Sequence, residues 1–134
     1  MGDEHRVNMI RSWLAHMERY EGHYQEAAAG YRKTILMWQK VGHRGAVAHQ
    51  LESFAFVAEA LEQMERAARL FGAAESLREK IAMSMDPQER AEYDQQVAAL
   101  RDRMDEEAFT SAWKEGRALS MEEAISYAIS GGDA

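Results

Sequence analysis

The 134-residue sequence contains no cysteine and one proline, and no stretch of it approaches the length of a membrane-crossing apolar run. Without cysteine there are no disulfides and no thiolate metal ligands. A membrane helix needs about 18 or more uninterrupted apolar residues, which no window offers. The opening segment MGDEHRVNMIRSW places acidic residues where a secretory signal has its basic region, so the expected home is the cytoplasm. Phosphate-loop and nucleophile-elbow spacings (Gly-x-x-x-x-Gly-Lys-Ser/Thr, Gly-x-Ser-x-Gly) are absent, and so is a basic recognition helix. A net charge of −7 and a pI near 5.2 argue against a surface that tracks nucleic-acid phosphates. Twelve of the sixteen basic residues are arginine, but they are scattered among Glu and Asp rather than gathered into a patch.

What is present is a composition suited to folding: 46% hydrophobic and 29% charged residues, enough for one domain over residues 1–134 with a real core. The apolar residues recur at helical spacing, and an all-α fold of five or six helices follows. The first, near 5–20, places Val7, Ile10, Leu14 and Met17 on one stripe. The second, near 24–41, carries Tyr24, Ala27, Tyr31, Ile35 and Trp38. A third near 45–61 (Val47, Leu51, Phe54, Ala58, Leu61) and a fourth near 64–82 (Ala67, Leu70, Phe71, Ala74, Ile81) form a second antiparallel pair. Asp86 and Pro87 mark the start of the next helix as cap and first-turn residue. Its stripe is Tyr93, Val97, Leu100 and Met104, and the helical pattern runs on through Phe109 and Trp113 until Gly116 stops it. Arg101 and Asp105 are spaced for an exposed ion pair. Ser120 and Glu123 form a capping box ahead of a last helix with Ala124, Ile125, Ala128 and Ile129. The final SGGDA should fray.

Sliding the first pair forty positions onto the second aligns Leu14 with Phe54, Ala15 with Ala55, Ala27 with Ala67 and Tyr31 with Phe71, an internal repeat. The small residues let helix axes approach, and the bulky ones fill the space between pairs. This pattern resembles the tetratricopeptide repeat in degenerate form, with helices lengthened beyond its usual period. The segments RAARLFGAAESLREK, DPQERAEYDQQVAALRDRM and EEAFTSAWKEGRALSMEEAISYA, in that order, are similar to the C-terminal helical-repeat regions of bacterial LuxR-type and MalT-like regulatory ATPases. The resemblance covers roughly residues 20–130. It implies an α-solenoid fragment of three helix pairs (about 5–41, 45–82 and 87–130) closed by a C-terminal capping helix. It also implies a non-catalytic interaction or signal-sensing module, with neither the ATPase nor the DNA-binding domain in this polypeptide.

In such arrays the first helix of each pair lines a concave groove. The residues off the core stripe there are Met9, Ser12, Trp13, His16 and Arg19, with Tyr20 beside them, on the first helix. On the third they are His49, Glu52, Phe56 and Glu59, with Ser53 beside them. These form the candidate groove for a protein or peptide partner or a small effector. Met9, Trp13 and Tyr20 have a second reading, as packing against a missing upstream repeat or against a second copy in a homodimer. The histidine spacings (16 with 23, 43 with 49) do not suit a helical metal pair, so no metal or other cofactor is expected. Acidic pairs such as Glu106-Glu107 lack the apolar surroundings that tune an acid or base, and no catalytic residue is assigned. Two other classes stay open: a stand-alone adaptor using the same groove, and a small helical ligand-binding protein or enzyme with a site among His16, His49 and Glu52.

Overall fold

The structure, a computed structural model, describes residues 2–130. Among them are seven helices and no strand: α1 (Gly2–Tyr20), α2 (Tyr24–Lys40), α3 (Arg44–Ala60), α4 (Met64–Lys80), α5 (Pro87–Asp102), α6 (Glu106–Arg117) and α7 (Met121–Ser130). The all-α reading holds, with one more break than the sequence showed. Asp105 makes that break: it accepts from the Ala108 amide at 3.2 Å and starts α6 afresh. Arg101 consequently pairs with Glu106, not with Asp105. Ser120 with Glu123 closes the expected capping box, and Asp86, the expected cap, forms a second box with Glu89.

The first four helices end alike. Gly22, Gly42, Glu62 and Ala82, twenty residues apart, all have positive φ (86°, 77°, 66° and 54°). The amide after each reaches the carbonyl five residues back, His23 to Glu18, His43 to Trp38, Gln63 to Ala58 and Met83 to Arg78, at 2.8–3.0 Å. This left-handed closure satisfies the last carbonyls and reverses the chain. The forty-residue period is therefore two helix-plus-turn units of equal length.

Helices α1 and α2 pair antiparallel, as do α3 and α4, and α2 lies along α3. The shared core holds Tyr31, Ile35, Leu51, Leu70 and Phe71, all fully buried. Small residues set the distances: Ala15, Ala27, Ala55 and Ala67 are buried at the helix contacts. The segment 87–130 is three helices, and α6, not α5, runs along α4. Its approach is close enough that a Cβ on Gly116 would lie 1.9 Å from the Arg69 carbonyl oxygen, and one on Gly72 would lie 2.4 Å from that of Trp113. Gly116 thus sits inside α6 as a packing residue and does not end it. Arg117 to Glu75 and Glu79 (2.9 and 2.7 Å) and Arg69 to Glu115 (2.8 Å) fasten this side. Arg66 donates to the Tyr127 and Ala128 carbonyls (3.3 and 2.6 Å), holding the end of α7.

The stripe expected to bury α1 does the opposite. Val7, Ile10, Leu14 and Met17 are 44%, 52%, 51% and 38% exposed. Instead α1 turns a smaller, more polar face to α2. The Trp38 indole N–H donates to Ser12 Oγ at 3.2 Å, Asn8 Nδ2 to the Thr34 carbonyl at 3.5 Å, and Ala15 meets the bare Cα of Gly30. The large apolar stripe suits a second neighbour, and none of the described residues covers it.

Candidate groove on the inner face of the first and third helices

The sequence-predicted groove residues come together on one side of the stack, divided between two cavities. The first, of about 430 Å³, is bounded by Met9, Ser12, Trp13 and His16 from α1 and by His49 from α3. The second, of about 490 Å³, takes Arg19, Phe56 and Glu59, with Tyr20 and Tyr24. Glu92, Gln95, Gln96 and Arg103 close its far side, so α5 and its end border the groove. A larger depression of about 690 Å³ lies elsewhere, around residues 82–85 with Arg90 and Tyr93, and holds none of the predicted groove residues.

Of the groove candidates, Ser53 lines neither cavity, and nor does Glu52. Glu52 is buried and bound by two contacts to Arg78, at 2.5 and 3.1 Å. Burial raises its carboxyl pKa, with Arg78 working against that rise. A site uniting His16, His49 and Glu52 through a free carboxylate is therefore ruled out geometrically: the carboxylate is committed to the α3–α4 contact.

His16 and His49 do meet, with ring centroids 5.2 Å apart and planes nearly perpendicular. His16 Nδ1 lies 2.7 Å from the Tyr31 hydroxyl, which also accepts from Arg19 Nε at 3.2 Å. With Arg19 donating to the phenol oxygen, the hydroxyl proton goes to Nδ1, and the imidazole keeps its own proton on Nε2. Burial, then His49, then Arg19 bring the His16 pKa down to about 4. His49 is lowered too, by burial first and then by Arg78 and Arg19. Both rings are thus neutral at pH 7, and they belong to different helices joined by the repeat.

Arg19 places its guanidinium 4.8 Å from the Phe56 ring centre and 4.7 Å from that of Tyr20. Phe56 meets Phe71 edge to face at 5.4 Å, so it is half core and half groove. Glu59 is buried, 4.0 Å from Arg103, and its Oε1 has no hydrogen-bond partner; burial raises its pKa, opposed by Arg103. Met9 and Trp13 stand exposed on the lip of the first cavity, while Ser12 is buried and spends its hydroxyl on Trp38.

Sequence reasoning missed the floor and far wall of the first cavity, where His5, Trp38, His43, Gln50, Arg78 and Met83 stand. Trp38 looks like core by its period, and it is, but it also shows an edge to the cavity between His5 and His43 (5.3 and 5.2 Å). The available signal was the twenty-residue turn spacing: His43 and Met83 each follow a positive-φ residue, which brings the two connections to the same end of the stack. The turn at Glu18, Glu21 and His23 brings three potential ligand atoms within 4.8 Å of one another, but it is a largely exposed turn, with His23 already 3.1 Å from Glu18.

No family model and no solved structure matches the chain. It is 46% identical over 63 residues to proteins of Mycobacterium tuberculosis and Mycobacterium bovis that carry the provisional description HTH-type transcriptional regulator. The match covers 47% of this chain and 7% of each of those proteins. Among the described residues no helix is long and apolar enough to cross a membrane.

Proposed function

We propose that the chain is a non-catalytic, tetratricopeptide-like interaction module of a cytoplasmic transcriptional regulator of the LuxR or MalT-like type. One observation carries the interaction reading: the apolar stripe that α3 buries against α2 is repeated on α1 and left bare there. A second helix laid antiparallel on α1, as α2 lies on α3, covers it. In the isolated chain the available helix is that of a second copy, which gives a homodimer through α1. The regulator reading draws support from the description of the mycobacterial relatives and from the repeat-region segments at 66–80 and 106–128. The concave side is the signal face, where a peptide, a partner domain or a small effector biases the rest of the regulator. It does not contact nucleic acid directly, in keeping with the acidic balance of the chain.

An immunoblot of source cells with an antibody to this domain tests the attachment. A band many times heavier than 15.2 kDa supports the regulator. A band at the size of this chain alone replaces it with a free-standing adaptor.

A further inference from the structure

The cavity between α1 and α3 has a composition that selects a ligand. At about 430 Å³ it holds a molecule of one or two rings. Trp13 stands on its lip, 59% exposed, where its ring face is open to stacking. Trp38 lies beneath, and its indole N–H is already given to Ser12, so it offers surface and no polar group.

Hydrogen-bonding capacity converges from one end. His16 uses Nδ1 on Tyr31 and keeps Nε2 uncommitted. Among the described residues the ring nitrogens of His49 have no hydrogen-bond partner, and the ring is packed edge-on to His16. Both imidazoles are held neutral by burial. Of the charged groups that line the cavity, Arg78 is neutralised by Glu52 at 2.5 Å, and Glu89 sits exposed at the rim in the capping box with Asp86. No buried, unpaired charge faces the interior. A charged guest would lose hydration there without a counter-charge to replace it.

We infer that this cavity is a binding site for a small, uncharged, flat aromatic molecule that stacks on Trp13 and hydrogen-bonds at the imidazole end, accepting from the His16 Nε2–H or pairing with a ring nitrogen of His49. This rests on the concave face being the signal side, as proposed above, and it names the chemical class of effector. The occupant is uncharged because every interior charge is already paired, and flat and aromatic because the exposed Trp13 indole is a surface for stacking.

Indole is the probe, with benzamidinium and benzoate as cationic and anionic controls, read by the imidazole and indole ring resonances of the intact chain. The expected result is a saturable shift of the His49 and Trp38 signals by indole, with both charged probes at least about tenfold weaker. Ala46→Trp fills the cavity and abolishes the indole shift. Trp13→Ala, at an exposed position that leaves the fold intact, weakens it severalfold. Signals unmoved by indole, charged probes that bind as well, or an unchanged response in Trp13→Ala would each overturn the proposal. Sedimentation reads the outer stripe of α1, and this titration reads the other side of the same helix, so the dimer reading and the ligand reading fail separately.

Discussion

Val47, Gln50, Phe54 and Val57 of α3 are at most 3% exposed, whereas Val7, Ile10, Leu14 and Met17, forty positions earlier, are at least 38% exposed. The two sets share a register, a helix type and a turn geometry. What separates them is a neighbour: α2 lies on the α3 stripe, with Gln50 accepting from Thr34 at 2.5 Å and Phe54 packed on Tyr31 at 5.8 Å. The same apolar period therefore makes core in one repeat and bare surface in the other. Periodicity shows that a helix has an apolar face, and only the stacking order shows whether that face is occupied.

The comparison breaks most sharply under charge. Phe54→Glu places an unpaired carboxylate in the core and is expected to cost about 4 kcal/mol or more of stability. Leu14→Glu, its repeat equivalent, is expected to move the monomer's urea midpoint by less than the equivalent of about 0.5 kcal/mol while abolishing association. Similar losses at both sites would mean that α1 is covered in solution by part of this same chain.

The closed end gives the next effect. Gly116→Val drives a side chain into the α4 backbone and is expected to cost about 2–3 kcal/mol in thermal unfolding. Gly30→Ala at the α1–α2 contact would bring its Cβ 2.9 Å from the Ala15 Cβ, which its own backbone holds in place, so the two helices must shift apart at an expected cost of about 1–2 kcal/mol.

The inner face joins the two repeats through His16 and His49. The folded-state pKa of His16 is about 4 against an ordinary 6.5, so its contribution is complete above pH 6.5 and declines as pH falls toward 4. After discounting for solvent screening, about 1–2 kcal/mol is expected to vanish across that window. His16→Gln should flatten the pH dependence of the urea midpoint, and Leu14→Glu should leave it intact, since the outer stripe is a separate surface.

The smallest effect lies in the turns, where Glu62 and Ala82 occupy the left-handed position that Gly22 and Gly42 fill without strain. Glu62→Gly and Ala82→Gly are each expected to raise stability by up to about 1 kcal/mol, and Gly22→Ala to lower it by a similar amount. Thermal unfolding decides the sign in each case.

Most helix positions, the Asp86 cap, the Ser120–Glu123 capping box and the forty-residue repeat were legible because each rests on local chemistry: period, cap residues and breakers. The face of α1 was not, because Ser12 and Asn8 look like surface until Trp38 and Thr34 are placed opposite them. The break at Asp105 was hidden by an unbroken helical pattern, and the packing role of Gly116 by its position near the end of α6. That Met9, Trp13 and His16 share one cavity, and Arg19 and Phe56 another on the same side, was legible because the repeat fixes which residues of α1 and α3 lie off the core stripe. Glu52 escaped that logic, since its partner Arg78 lies twenty-six residues away, on α4. The contribution of α5 to the groove was illegible for a related reason: nothing in its own period says that α6 takes the place beside α4.

Sedimentation equilibrium of the wild-type chain beside Leu14→Glu, at concentrations up to about 100 µM, tests the bare stripe most directly. The expected result is a wild-type mass above the 15.2 kDa of one chain that falls to one chain in the variant. A wild-type chain that stays monomeric and soluble across that range would contradict the assignment of α1 as an interface.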